Sequence, residues 1–352
     1  MLIRSILSTA AIGVAVVALA PTGADAATTT TRTIGGVRVD TTTYETGEGG
    51  PGVHLDLTLT TGRSLSVSCS RTGKVSVNGV WLSTACSEVR FGVAVVGSAG
   101  NDTVHIEGKD LGTSEDGGIR LNLGYGHDTA KVSHANGSAY LYGEGGNDRL
   151  YAGLRADRHH LPEWSKTVID GGPGNDTLSN LGYLGDPEHT HDGQEAEEGA
   201  TLIGGPGADR IWGSTTRWDH IQMDTSDSVS FSGGPGTVEL ATSSAADTVV
   251  VNANGNYGPK LNITSGTTTT SYALPRLTSS LTVRTGAGDD EVTVEHKSAR
   301  TRIHVDGGSG TDALAVRPRS PFDWDEPNAT VTQPGFQRIT YDAFESVSVQ
   351  PL

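Results

Sequence analysis

The sequence predicts an all-β protein, a right-handed parallel β-roll or β-helix solenoid with a β cap at each end. Three observations carry that reading. Glycine supplies 48 of 352 residues while aromatics make up only 5%, which disfavours a core of large side chains. Acidic residues recur inside Gly-rich turns, at spacings of 26, 20, 28 and 33 residues from Asp102 to Asp209. Apolar side chains stand at fixed distances on both sides of each acid, the period-two signature of strands with one buried face.

Residues 1–26 read as an export signal. Arg4 gives a charged start, Ala10 to Ala20 is an apolar run, and Ala24-Asp25-Ala26 is an A-x-A cleavage site. The run is too short to span a bilayer, so the expected product is secreted, extracellular and soluble. The segment carries one charge of each sign and leaves the formal net charge at −16. A polyanion of that size argues against nucleic acid and anionic membrane as partners and favours cations.

Residues 27–90 run from a Thr-rich stretch into the alternating segments VRVD, VHLDLTLT, LSVSC and VSVNGVWL. With no acidic repeat, they read as an N-terminal β cap over the first coil, because an open solenoid end is an aggregation-prone edge. The only two cysteines, Cys69 and Cys86, lie here. In an oxidising compartment a disulfide is the expected state, with free or metal-binding thiols the alternative. Closing that loop is worth roughly 3 kcal/mol.

Residues 91–316 hold the repeat. Aligned on its acid it reads GSAGNDTV at Asp102, GYGHDTA at Asp128, GEGGNDRL at Asp148, GGPGNDTL at Asp176, GGPGADRI at Asp209, GAGDDEV at Asp290 and GGSGTDAL at Asp312. Two residues before the acid stands Gly100, Gly126, Gly146, Gly174, Gly207, Gly288 or Gly310; two after it stands Val104, Ala130, Leu150, Leu178, Ile211, Val292 or Leu314. Seven before it the side chain is apolar again, from Val95 and Leu121 to Val305. Each unit is therefore strand, turn, strand. The uneven intervals suit one coil of parallel strands per repeat with polar insertions on one side, whereas a hairpin sheet would need tight turns at both strand ends. Two registers are degenerate: FSGGPGTVEL places Val238 where the acid should be, and SSAADTVV keeps Asp247 but has Ala245 for glycine. They lie nine residues apart, which suits one of them on the opposite edge of the same coil, and whether either binds metal stays open.

These turns resemble the haemolysin-type, or repeats-in-toxin (RTX), calcium-binding nonapeptide G-G-x-G-x-D-x-U-x, a parallel β-roll motif. GGPGNDTLS, GGPGADRIW and GGSGTDALA match every specified position, which adds Gly172, Gly205 and Gly308 to the glycines above; the other copies lose the first glycine or replace the second. The resemblance implies Ca2+ as cofactor, held by the seven aligned aspartates with their turn glycines. The chemistry agrees with it. Ca2+ takes six to eight oxygens at about 2.3–2.6 Å, and strands stack about 4.8 Å apart, so an ion midway between two turns reaches both. Glycine at positive φ lets a turn aim carbonyls inward. One isolated Gly-Asn-Asp turn is as well read as an ordinary Asx turn, but seven in register favour the metal.

His189, His191 and Asp192, with His159 and His160, have a transition-metal look. They form no H-E-x-x-H and lie in acidic or polar insertions, which favours solvated loops. No G-x-S-x-G elbow occurs, GTSED at 112–116 failing at its last position. No catalytic residue is assigned and the chain is read as no enzyme. The alternative is a carbohydrate-active β-helix enzyme, a lyase or epimerase stabilised by calcium, with Tyr140, Tyr142, Tyr151 and Trp212 as a sugar platform; basic residues such as Arg149 and Arg210 look scattered for that role. Residues 317–352 form the C-terminal cap, where ITYDAFESVSVQ supplies a closing strand pair after a Pro-rich link. The expected function is a calcium-binding repeat protein with a structural or interaction role outside the cell, its polysaccharide or protein partner unnamed.

Overall fold

The computed structural model describes residues 24–46, 51–107, 111–112, 117–135, 137–154, 166–180, 200–213, 219–231, 236–254, 258–274, 278–297 and 300–351. Apart from two short 3₁₀ segments, Cys86–Glu88 and Glu326–Asn328, every regular element among them is a β-strand. The sheets are mostly parallel, as a β-roll or β-helix requires.

Each coil runs strand, turn, strand. First strands such as Ile119–Asn122, Ala139–Tyr142, Thr167–Asp170 and Thr201–Ile203 pair in parallel within a fifteen-stranded sheet. Second strands such as Thr129–Ala135, Arg149–Leu154, Thr177–Ser179 and Arg210–Gly213 pair in parallel within a nine-stranded sheet. Val95, Leu121, Leu141, Ile169 and Leu202 are successive register partners in the first sheet. Val104, Ala130, Leu150, Leu178 and Ile211 are successive partners in the second. All ten are at most 1% exposed, so the two apolar columns of the sequence are the two facing rows of the core. A slip of one residue would turn a whole row to solvent, which fixes the register.

The stack is interrupted once. The hairpin Lys260–Ser265 and Thr268–Ala273 pairs antiparallel with Asp247–Asn254 on the edge where the preceding coil would otherwise pair. Later second strands therefore form a separate six-stranded sheet, while the fifteen-stranded sheet runs through the break from His220–Met223 to Gly236–Ala241 to Thr278–Arg284. Tyr272 ties the hairpin to the earlier coils by donating its hydroxyl to the Thr225 carbonyl. This corrects one register of the sequence: Val238 occupies no turn. It is a fully buried residue of the first strand Gly236–Ala241, and Asp247, nine residues on, opens the second strand of the same coil.

At the N-terminal end, Ala24–Ile34, Val37–Thr46 and Gly52–Leu59 form an antiparallel meander that extends the fifteen-stranded sheet. Ser64–Cys69, Lys74–Val77 and Val80–Ala85 do the same for the nine-stranded sheet. Gly52–Leu59 and Ser64–Cys69 then pair in parallel with the first repeat coil. Most of the expected export segment lies outside the described residues. Cys69 and Cys86 are joined, with Cα atoms 6.0 Å apart. At the other end Ile339–Asp342 and Ser346–Val349 add a last parallel coil. Among the described residues no helix is long and apolar enough to cross a membrane.

Replacing both cysteines by alanine frees two residues 17 apart in sequence and is expected to lower the unfolding free energy by about 2–4 kcal/mol. Urea denaturation of the double variant measures this, and an unchanged midpoint would show that the cap holds without the bond.

Candidate metal centre

The turn is built on positive-φ backbone, supplied mostly by glycine and at one position by Glu144 with φ 69°. In the turn of Asp176, Gly172 has φ 80° and Gly174 has φ 159°. The stacking is equally demanding. A Cβ on Gly174 would stand 1.4 Å from the Gly146 carbonyl oxygen, and one on Gly207 would stand 1.4 Å from that of Gly174. Successive turns thus touch main chain to main chain, and Gly174 donates its N–H to the Pro206 carbonyl at 2.9 Å.

This close stacking puts the acids in a buried column. The N–H of Asp102 donates to Asp128 Oδ1 at 2.6 Å, Asp128 to Asp148 at 2.7 Å, Asp148 to Asp176 at 2.7 Å, Asp176 to Asp209 at 2.6 Å and Asp209 to Asp227 at 2.9 Å. Arg63 of the cap begins the column by donating its N–H to Asp102 Oδ1. Beyond the inserted hairpin a second column runs from Asp247 to Asp290 to Asp312 and ends on Glu345, whose Oε2 accepts the Asp312 N–H. The sequence placed an ion in each gap between turns. In the structure Oδ1 already bridges that gap, which leaves the second carboxylate oxygen for a cation.

That second oxygen separates the acids into two sets. Oδ2 of Asp128, Asp148, Asp176, Asp209, Asp290 and Asp312 is buried and has no hydrogen-bond partner. Oδ1 of Asp247 is likewise buried and unpaired, and seven such carboxylate oxygens are a large desolvation cost with no offsetting bond. At two column ends the oxygen is satisfied within its own turn: Ser98 N–H donates to Asp102 Oδ2 at 2.6 Å and Asp224 N–H to Asp227 Oδ2 at 2.7 Å; at Asp247, Ser243 N–H and Oγ take Oδ2 and Oδ1 stays unpaired. Asp102, grouped with the others by sequence, is thereby set apart. Asp227 escaped the sequence alignment because Thr225 stands where glycine is expected; its only sequence signal was the apolar Val229 two residues on.

The unpaired oxygens face glycine at the first motif position. The space that a Cβ on Gly143 would fill lies 2.4 Å from Asp148 Oδ2 and 2.5 Å from the Gly171 carbonyl oxygen of the next turn. At Gly171 the same point lies 2.4 Å from Asp176 Oδ2 and 2.7 Å from the Gly204 carbonyl, and at Gly204 it lies 2.5 Å from Asp209 Oδ2 and 2.9 Å from Asp227 Oδ2. Three consecutive turns thus converge hard oxygens from two coils on one cradle. A hard divalent cation fits this donor chemistry. No group of three or more His, Cys, Asp or Glu side chains is arranged for a metal among the described residues, so carbonyl oxygens have to complete any set. His159, His160, His189, His191 and Asp192 lie outside the described residues.

Burial pushes the carboxyls up, those of Asp128, Asp148 and Asp209 to about 6 and those of Asp176 and Asp227 to about 7. The N–H that each accepts opposes the rise, and neighbouring carboxylates of the column add to it. Burial raises Asp290 as well.

Residues 136–157, 168–179 and 198–215 match the model of a family described as RTX calcium-binding nonapeptide repeat (4 copies). RTX nonapeptide repeats bind Ca2+. The matched segments contain the turns of Asp148, Asp176 and Asp209, the three that carry the Gly143, Gly171 and Gly204 cradles. No match to a curated protein was found.

Two outcomes follow from this geometry. An acid whose folded pKa lies above its ordinary 3.8 binds protons more tightly folded than unfolded. The stability it contributes is full below about pH 4 and is lost as pH rises through 6 to 7. Chelator-treated protein should therefore melt at a lower temperature at pH 8 than at pH 5; a midpoint rising over that range would contradict the buried column. Separately, Gly174→Ala forces a Cβ onto the Gly146 carbonyl and is expected to cost about 2–4 kcal/mol. Gly266→Ala, with open space around it at φ 59°, should cost about 1 kcal/mol. Equal losses by chemical denaturation would mean that the close stacking is not needed.

Proposed function

We propose that this RTX-type calcium-binding repeat protein is a secreted scaffold, with Ca2+ held along the unpaired Oδ2 column and a structural or binding role outside the cell in place of catalysis. The observation that carries the reading is the set of seven buried, partnerless carboxylate oxygens, Oδ1 of Asp247 among them. Ca2+ supplies positive charge where the fold has concentrated negative charge in a dry interior. Asp148, Asp176 and Asp209 would hold it together with the Gly171 and Gly204 carbonyls, whose oxygens border the same cradles. Asp128, Asp290 and Asp312 offer the same unpaired oxygen. Glycine frames the cradles, while the Oδ1 bonds keep each carboxylate from turning away.

Secretion is supported by the A-x-A segment and by the Cys69–Cys86 bond, which persists in oxidising surroundings. Residues 27–90 and 317–352 serve as the caps of this scaffold. Binding the folded state alone stabilises it, each site adding about 2.7 kcal/mol at a free Ca2+ concentration 100-fold above its dissociation constant.

Asparagine substitution distinguishes a calcium ligand from a hydrogen-bond ladder. Asp176→Asn keeps an Oδ1 for the Asp148 N–H and removes the unpaired oxygen and its charge. It should retain or raise the melting temperature in chelator and lose part of the gain on adding Ca2+. Asp102→Asn, at a position where both oxygens accept N–H groups, should leave the Ca2+ gain intact. Thermal melts with and without chelator, alongside calorimetric Ca2+ titration, read both. Equal loss of the gain in the two variants would overturn the assignment of Oδ2.

A further inference from the structure

The outward face of the nine-stranded sheet carries a charge pattern opposite to that of the whole molecule. The chain has a net charge of −16. Over the five strands from Thr103–Glu107 to Arg210–Gly213, the outward side chains that are described include Lys131, Arg149 and Arg210 and a single acid, Glu107. Some exposed arginines elsewhere are matched to acids, Arg284 to Glu239 and Asp306, Arg38 to Asp40 and Arg317 to Glu295. Arg149 and Arg210 are exposed and form no ion pair among the described residues.

The sequence made these residues look scattered, and the coil period brings them together. RLY at 149–151 and RIW at 210–212 sit on strands two places apart, with Thr177–Ser179 between them. Arg149, Thr177 and Arg210 are register partners in one row, and Tyr151, Ser179 and Trp212 are partners in the next. Both rows alternate with the core residues Leu150, Leu178 and Ile211; Arg149 and Arg210 are exposed, Tyr151 and Trp212 are half-buried, and Ser179 between them is fully buried. The result is two copies of a guanidinium beside an aromatic ring, repeated about 9.6 Å apart at ~4.8 Å per strand. At the far edge of the same sheet Trp81 is 56% exposed. Tyr140 and Tyr142, the other aromatics of the expected sugar platform, lie on the fifteen-stranded sheet, where Arg120 stacks on Tyr140.

We propose that this face binds an anionic polysaccharide, with Arg149 and Arg210 pairing with its carboxylate or sulfate groups and Tyr151 and Trp212 stacking on the apolar faces of its sugar rings. Guanidinium forks pair with planar oxyanions in bidentate fashion, and flat rings offer apolar area at small conformational cost. Repetition at the coil period suits a linear polymer of repeating units. Three basic side chains on a protein of pI about 5.0 fall short of the cationic footprint that nucleic acid requires. The proposal rests on the reading of the chain as a binding scaffold, and it assigns that scaffold a ligand class.

The test uses the full Ca2+-loaded protein in affinity electrophoresis through gels containing polygalacturonate, dextran sulfate, neutral dextran or poly(dT). Retardation by at least one of the two anionic glycans and none by dextran is expected, with the stronger of the two identifying carboxylate or sulfate as the preferred group. Arg149→Gln/Arg210→Gln should weaken that retardation at least tenfold, and Tyr151→Ala/Trp212→Ala likewise, with far-UV circular dichroism and the Ca2+-induced rise in melting temperature unchanged. Should either double variant fail to fold, tryptophan fluorescence of the parent titrated with the retarding glycan replaces it: a change that Trp212→Phe abolishes supports the face. No retardation of the parent by either anionic glycan, undiminished retardation of a folded arginine variant, or stronger retardation by poly(dT) overturns the proposal. Glycan binding without any Ca2+ stabilisation would refute the metal assignment alone, and Ca2+ stabilisation without glycan binding would refute this one alone.

Discussion

The main-chain N–H of one turn aspartate donates to Oδ1 of the aspartate in the next coil, and the rest of the molecule is arranged around that bond. It fixes the distance and register of stacked turns at 2.6–2.9 Å from donor to acceptor through five successive steps. Where two turns stack this closely, at Gly146, Gly174, Gly207 and Gly310, the residue two before the acid can have no side chain, because the carbonyl of the previous turn lies against its Cα. To keep the acid buried, the residue two after it must point into the core, and Ala130, Leu150, Leu178 and Ile211 do so. Glycine, aspartate and apolar residue are three consequences of one stacking geometry.

The same bond leaves each interior carboxylate half satisfied. One oxygen is spent on the ladder and the other is sealed in a space with no donor. Burial raises the cost of ionisation and pushes the carboxyls of Asp148 and Asp176 up to about 6 and about 7, as it does that of Asp227, whose oxygens are both bonded. Protonation and cation binding are the two ways to relieve that cost. At Asp102 and Asp227 an N–H from Ser98 or Asp224 folds onto the second oxygen, while at Asp247 Ser243 takes one oxygen and the other stays unpaired.

The inserted hairpin shows how the two sheets can obey different rules. Between the coils of Asp227 and Asp247 the nine-stranded sheet ends while the fifteen-stranded sheet continues. The aspartate ladder ends with it, since the Asp227 N–H turns back to the Asp224 carbonyl. Each turn column thus belongs to a block of coils with its own second sheet, and the continuous first sheet joins the blocks.

Much of this was legible in the chain. The period-two apolar columns at Val95, Leu121, Leu141, Ile169 and Leu202 determined which faces are buried, and the Gly-x-Asp spacing determined the turn between them, because both depend on side chains a few residues apart. Tertiary structure decided the rest, because it depends on which coil stacks on which. Alignment on the acid sets Arg149 over Arg210 and Tyr151 over Trp212, but only the stacked coils put them two strands apart in one sheet. No local pattern told that Val238 is a strand residue, that Asp227 extends the first column, or that Asp102 alone among the aligned acids has both oxygens satisfied. A sequence lists the donors and acceptors of each turn; only the stacked coils determine which of them meet.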